Sequence, residues 1–251
     1  MDAYDTPFLV LAVAVLVQWL AAHAGDLLRR KVRPFKEDER ADFGVVLTAA
    51  LTLLGLIIGF SFAMAVSRYD QRKNFEEAEA NAIGTEYVRA DLLPPEHATK
   101  VRDLLRKYVA QRIAFYLAGD RGQVGRINAE TDKLHAELWS AVVRAVSPQQ
   151  TAVEALVVSG MNDVLNSQGY TQASWWNRIP VAAWGLMALV AVSCNLLYGY
   201  GERRRGALAL VLPVIVSISL FLIADIDTPR AGIIRVLPQN LLAVAQTMKP
   251  Q

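Results

Sequence analysis

Four apolar stretches limit what this chain can become. They read PFLVLAVAVLVQWLAAHA (7–24), FGVVLTAALTLLGLIIGFSFAMAVS (43–67), IPVAAWGLMALVAVSCNLLY (179–198) and ALALVLPVIVSISLFLIA (207–224). Each is close to the roughly 20 residues that cross about 30 Å of hydrocarbon. Inside a bilayer every backbone N–H and C=O must be satisfied within the protein, so such stretches form helices. The expectation is an all-α membrane protein with four transmembrane helices. Composition agrees: 53% of the residues are hydrophobic, 20% are charged, and the mean hydropathy is +0.25.

The first stretch has a rival reading, because Ala22-His23-Ala24-Gly25 resembles a signal-peptidase site behind an apolar core. The leading MDAYDTP carries two aspartates and no Lys or Arg. That is the wrong sign for the start of a signal peptide, so a retained helix is expected.

Short-loop charge gives an orientation. The loop DLLRRKVRPFKEDER holds six Lys or Arg and GYGERRRG holds three, against three (Arg230, Arg235, Lys249) in the tail from Asp225. Nine against three places both hairpin loops in the cytoplasm by the positive-inside rule, with the termini and the middle segment outside.

Residues 68–178 contain no β-type run and read as a water-facing helical bundle inserted between the second and third spans. Val124, Ile127, Thr131, Leu134, Leu138, Ala141 and Ala145 recur at 3-4 spacing, the seam of a helix packed on another. Val101, Leu104, Leu105, Tyr108 and Phe115 supply a matching stripe, and Gly119-Asp120-Arg121-Gly122 is the turn between them. Pro94-Pro95 ends one helix and starts the next. Ser147-Pro148 reads as an N-cap with Pro at the first helical position. Trp175-Trp176-Asn177-Arg178 reads as an interfacial aromatic belt with a snorkelling Arg. The domain boundaries expected are 1–67 (spans 1 and 2), 68–178 (bundle), 179–227 (spans 3 and 4) and 228–251 (C-terminal turn and short helix).

The second span runs into charged sequence without a Pro or Gly at the junction, GFSFAMAVSRYDQRKNFEEAEANAIG (59–84). One helix over about 50 residues from Phe43 to Leu93 would be roughly 75 Å long, well beyond the bilayer, with Gly84 a place where it could bend. Its charged part, with Arg72 and Glu76 at i,i+4, is either a solvated helix face or a charged pore mouth carried by Arg68, Glu76 and Glu79. Within the membrane, Gly55-x-x-x-Gly59 permits close helix packing. Thr52, Leu56 and Phe60, four apart, form a line that could make an apolar constriction.

Several function classes lack support. A net charge of +2 recruits no nucleic acid. The single Cys194 excludes an intrachain disulfide, and His23, His97 and His135 lie too far apart for a metal site by spacing. No nucleophile–base constellation or Gly-rich phosphate loop is present, so no enzyme and no cofactor are expected.

The segment GFSFAMAVSRYDQRKN is similar to the second transmembrane helix of bestrophin anion channels, where a Gly-Phe pair precedes an Arg and an aromatic by the same interval. Gly59-Phe60 and Arg68-Tyr69 stand in that register. The resemblance implies a homo-oligomer, a pentamer by analogy, whose second helices line a narrow apolar neck with an aromatic at Phe60. Leu56 is apolar but not aromatic, and Thr52 departs from the pattern. A closer resemblance, over most of the chain, is to bestrophin-like bacterial membrane proteins of unknown function. It rests on RYDQRKN, LNSQGY with WWNRIPVAAW, and FLIADIDTPRAGIIRVLPQNL. It implies the bacterial inner membrane and multi-pass architecture. Bestrophins hold the large helical region in the cytoplasm, opposite to the charge count. The acidic calcium-binding run of animal bestrophins has no counterpart here.

Asp225, Asp227 and Arg230 close the fourth span, where ionisable residues are costly unless paired or wetted. They make either a structural turn with an Asp–Arg pair or a polar gate. Ser193, Cys194 and Asn195 read as interhelical glue. Two functions remain: an oligomeric ion pore lined by the second helix, with small ions and the bilayer as partners, or a membrane-anchored helical scaffold or sensor that binds a partner and conducts nothing. An open axial cavity would separate them.

Overall fold

The computed structural model describes residues 6–31, 37–147, 151–201 and 207–249, and among these only helices and their connections occur. In order they are α1 (Pro7–Lys31), α2 (Glu37–Arg89), α3 (Pro95–Leu117), α4 (Arg121–Val146), α5 (Ala152–Trp176), α6 (Val181–Gly201), α7 (Val211–Asp227) and α8 (Gln239–Thr247). Short 3-10 turns follow α2, at Ala90–Leu92, and precede α7, at Ala207–Leu210. Two compact units result: Met1–Tyr69 with Arg178–Arg235, and Asp70–Asn177 with Val236–Gln251. Helix α2 contributes to both and is unbroken through Gly84.

The first unit holds α1, the apolar part of α2, α6 and α7. Among the described residues three helical stretches are long and apolar enough to cross a membrane: Pro7–Lys31, Glu39–Leu92 and Ala152–Gly201. The last contains α6. Helix α7, at 17 residues, is shorter but almost wholly apolar. The buried core includes Leu54, Ala65, Met187, Ala191, Cys194 and Ile223.

α1 and α6 run parallel and touch backbone to backbone. A Cβ on Gly25 would lie 2.1 Å from the Leu196 carbonyl oxygen, and one on Gly199 would lie 1.9 Å from the Ala22 carbonyl oxygen. Only glycine allows that approach, the small-residue packing that holds membrane helices together. The Ala-His-Ala-Gly segment that mimics a cleavage site is thus the tight end of a helix pair. Asn195 donates to Gln18 Oε1 (2.8 Å) and to the Ala191 carbonyl (3.0 Å), the glue expected of it. Cys194 is a free, buried thiol in the same core.

The second unit is a helical bundle. On α4 the expected seam holds: Ile127, Thr131, Leu134, Leu138, Ala141 and Ala145 are buried. Thr131 avoids an orphan hydroxyl by donating to the Ile127 carbonyl (2.9 Å). Val101, Leu104, Leu105, Tyr108 and Phe115 are buried on the facing α3. The turn between the two helices is capped by Asp120, which accepts from the Gln123 N–H (2.7 Å), and α3 begins at Pro95 as its Pro pair directs.

Two local expectations are corrected. Ser147 closes α4 rather than opening the next helix, its N–H bonding the Val143 carbonyl (3.1 Å); Pro148 lies outside the described residues. Helix α5 starts at Ala152 behind a capping box, in which Thr151 Oγ1 accepts from the Glu154 N–H and Glu154 accepts from the Thr151 N–H. That box satisfies two end donors reciprocally, which a Ser-Pro start cannot. Trp175 is not part of an interfacial belt. It is buried against Phe115 and Tyr116 (ring centroids 5.1 and 5.5 Å), while Trp176 is 73% exposed.

Candidate functional site

Helix α2 carries two faces of opposite character. One is a buried stripe at 3-4 spacing: Leu54, Ser61 and Ala65 in the first unit, then Arg72, Glu76, Glu79, Ile83 and Glu86 in the second. Arg72, Glu76, Glu79 and Glu86 therefore lie on the packed side of the helix, while Asp70, Lys73 and Glu77 are exposed. This corrects the reading of a solvated face for Arg72, Glu76 and Glu79, and it places Glu76 and Glu79 inside the bundle rather than free at a surface.

Three of these buried charges, Arg72, Glu76 and Glu79, have defined partners. Arg72 Nε donates to the Ser174 carbonyl (3.3 Å) and Nη2 to the Asn177 carbonyl (3.5 Å), so a cation closes the C-terminal end of α5. Glu76 accepts from the Leu241 N–H (2.9 Å) and from Asn240 Nδ2 (2.6 Å), so an anion sits at the first turn of α8. Both match the helix dipole. Glu79 pairs with Arg112 of α3, and neither side chain is exposed; Thr171 Oγ1 donates to Glu79 at 3.0 Å. The Arg112 guanidinium also stacks over the Phe115 ring at 4.5 Å. Burial, and then the Glu79 charge, raise the neighbouring Tyr108 hydroxyl well above its ordinary range. Burial and then Arg112 lower the proton affinity of His135, which lies 3.2 Å from the Tyr108 hydroxyl.

The other face of α2 is open. Phe60 is 66% and Leu56 53% exposed, and Thr52 is exposed with its hydroxyl returned to the Thr48 carbonyl (2.9 Å). A Cβ on Gly55 or Gly59 would meet no atom within 4 Å. Only 6% of the most apolar 18-residue window of this helix is buried within the chain, against 22% for α1. Of the three candidate windows the most apolar is thus the least covered. The small-residue pair packs on nothing among the described residues, in contrast to Gly25 and Gly199.

The acidic end of α7 is a built junction within the first unit. Asp227 accepts from the Ile179 N–H with both oxygens (3.1 and 3.2 Å) and faces Arg68 Nη1 at 3.6 Å. An acid at a helix C-terminus opposes the dipole; here the cation from α2 and the N–H leading into α6 offset it. Asp225 turns back to accept from the Ile233 and Ile234 N–H groups (2.7 and 2.9 Å). Gly232 is required beneath them, because a Cβ there would lie 2.6 Å from the Asp225 carbonyl oxygen. Arg230 is half-buried beside this loop sequence. Arg68 and Asp227 thus come together, whereas Thr52, Leu56 and Phe60 lie apart from them on the open face. Ile179 and Asn240 lie in the segments that carry the family resemblance, but their pairing with Asp227 and Glu76 is set by long-range packing, as is that of Arg112 with Glu79.

A family model described as Bestrophin-like domain matches residues 8–241. The chain belongs to the bestrophin-like family. Its fold resembles a crystal structure of a bacterial bestrophin homologue from Klebsiella pneumoniae at TM-score 0.63 and 14% identity, over 96% of this chain and 95% of that one. A single-residue variant of that homologue gives TM-score 0.63 and 14% identity, over 95% and 96%. A crystal structure of a variant described only as a membrane protein gives 0.62 and 15%, over 96% and 95%. At this identity the likeness is one of bestrophin fold. Among curated proteins no sequence match is significant.

Proposed function

We propose that this bestrophin-like protein assembles around an axis into an ion-conducting pore lined by α2. The observation that carries the reading is the open face of that helix: its apolar window is the least buried of the three candidate windows, and its small residues Gly55 and Gly59 lie bare. Small residues permit close approach of a second helix, and cyclic symmetry brings one copy of Phe60 per subunit to a common level. A ring of Phe60, with Leu56 and Thr52 on the same line, gates by excluding water until it widens. The permeant species is a small anion and the assembly a pentamer, both by kinship with bestrophin channels.

In this account residues 43–67 of α2 cross the inner membrane together with α1, α6 and α7, giving four spans. The bundle of residues 68–178 stands in water. The Arg68–Asp227 junction ties the end of α7 to α2, and the protein performs no catalysis.

The test is chloride flux from liposomes holding the purified full-length protein. Phe60→Ala raises flux above wild type if the ring is the constriction. No flux from folded wild type and variant alike overturns the proposal and leaves a non-conducting scaffold.

A further inference from the structure

Within the first unit, α1 and α6 converge at Gly25 and Gly199 and separate toward their N-terminal ends. The separation leaves a groove of about 360 Å³. One wall runs along α1 from Leu9 to Gln18, the other along α6 from Val181 to Val192, and Leu220 of α7 closes the floor. At 1.5 Å per residue these walls are roughly 13 and 16 Å long. The width comes from small residues: Ala14 and Ala188 line it, and a Cβ on Gly185 would meet nothing within 4 Å. The lining is apolar apart from Gln18, whose side chain is held by Asn195.

We propose that this groove holds one acyl chain of a phospholipid, drawn from the leaflet that faces the first turns of α1 and α6. Three features specify the occupant. The groove lies lengthwise along two apolar helices, the direction in which lipid chains stand. Its length equals the roughly 15 Å of hydrocarbon in a single leaflet, half the bilayer core. It stops at the Gln18–Asn195 pair, beyond which the glycine contact leaves no space. The volume falls within the range of small-molecule sites. The inference concerns the outer flank of α1 and α6 and is independent of whether α2 conducts.

Trp184 lines the groove and reports on it. Phospholipid brominated on its acyl chains is titrated into the detergent-solubilised full-length protein, and tryptophan fluorescence is followed. The quenching lost on Trp184→Phe isolates the contribution of this ring. The expected result is saturable quenching by Trp184 at a low lipid ratio. It is abolished when the groove is filled by Ala188→Phe, with the thermal midpoint and oligomer size unchanged. Trp184 quenching that rises linearly without saturation, or that survives Ala188→Phe, overturns the proposal. So does a change of oligomer size on Ala188→Phe, which would assign the groove to a neighbouring copy. If Ala188→Phe does not fold, Gly185→Leu replaces it, since its added side chain enters open space.

Discussion

Glu86 should make the bundle weaken as pH rises, and Glu86→Gln should remove that weakness. The carboxyl is fully buried on the packed stripe of α2, and neither oxygen has a hydrogen-bond partner among the described residues. It faces Gly160 of α5 so closely that a Cβ there would lie 2.0 Å from Oε2. Burial chiefly, helped by the charge of Asp163 and opposed by Arg89, raises its pKa from 4.5 to about 8. Arg89, whose Nη1 bonds the Leu156 carbonyl at 3.4 Å, relieves it only in part. In the unfolded chain the proton leaves near 4.5; in the folded chain it stays until about 8. Below 4.5 both states are protonated and stability is at its full value. Between the two values folding takes up a proton, so stability falls as pH rises by ~1.4 kcal/mol per pH unit, and it levels off above 8. Over that window the loss is on the order of 5 kcal/mol, a large share of the stability of any domain. An amide cannot ionise, so Glu86→Gln should flatten the profile and exceed wild type at pH 8. The assay is the thermal midpoint of detergent-solubilised protein from pH 5 to 9. Parallel profiles for wild type and variant would refute the reasoning.

Other outcomes follow from the same contacts. Glu79→Met or Arg112→Met alone leaves a buried charge unpaired and should cost ~3–5 kcal/mol, while the double variant should cost less than the sum of the two; a double-mutant cycle in chemical denaturation measures this. Gly199→Val forces a side chain into the Ala22 backbone and should cost at least ~1–3 kcal/mol by the same assay. Gly55→Leu meets nothing in its own chain, so the subunit fold should survive while the oligomer dissociates on size-exclusion chromatography. A cysteine at Glu130, in a Cys194→Ser background, should be labelled only from outside the cell if the loop charges set the orientation.

The apolar helices were legible because about 20 apolar residues in a row, the length that crosses lipid, satisfy their backbone as a helix. The α4 seam was legible because its 3-4 spacing is local. The Arg72, Glu76 and Glu79 run was misread because a charged helical stripe looks the same from sequence whether it meets water or buried partners. Those partners, Asn177, Leu241 and Arg112, are distant in sequence. The α5 start was misplaced because Ser147-Pro148 and Thr151–Glu154 both carry start signals, and only the second makes a reciprocal pair of bonds. Gly55-x-x-x-Gly59 stood out as a pattern, whereas Gly25 and Gly199, which pack within the chain, share no motif.

The most direct test of the central claim is a reconstruction of the purified assembly, with the radius measured along its symmetry axis. The account predicts a continuous axial path lined by α2 and narrowest at Phe60. An assembly with α2 turned to lipid, or with no path through its axis, would contradict it.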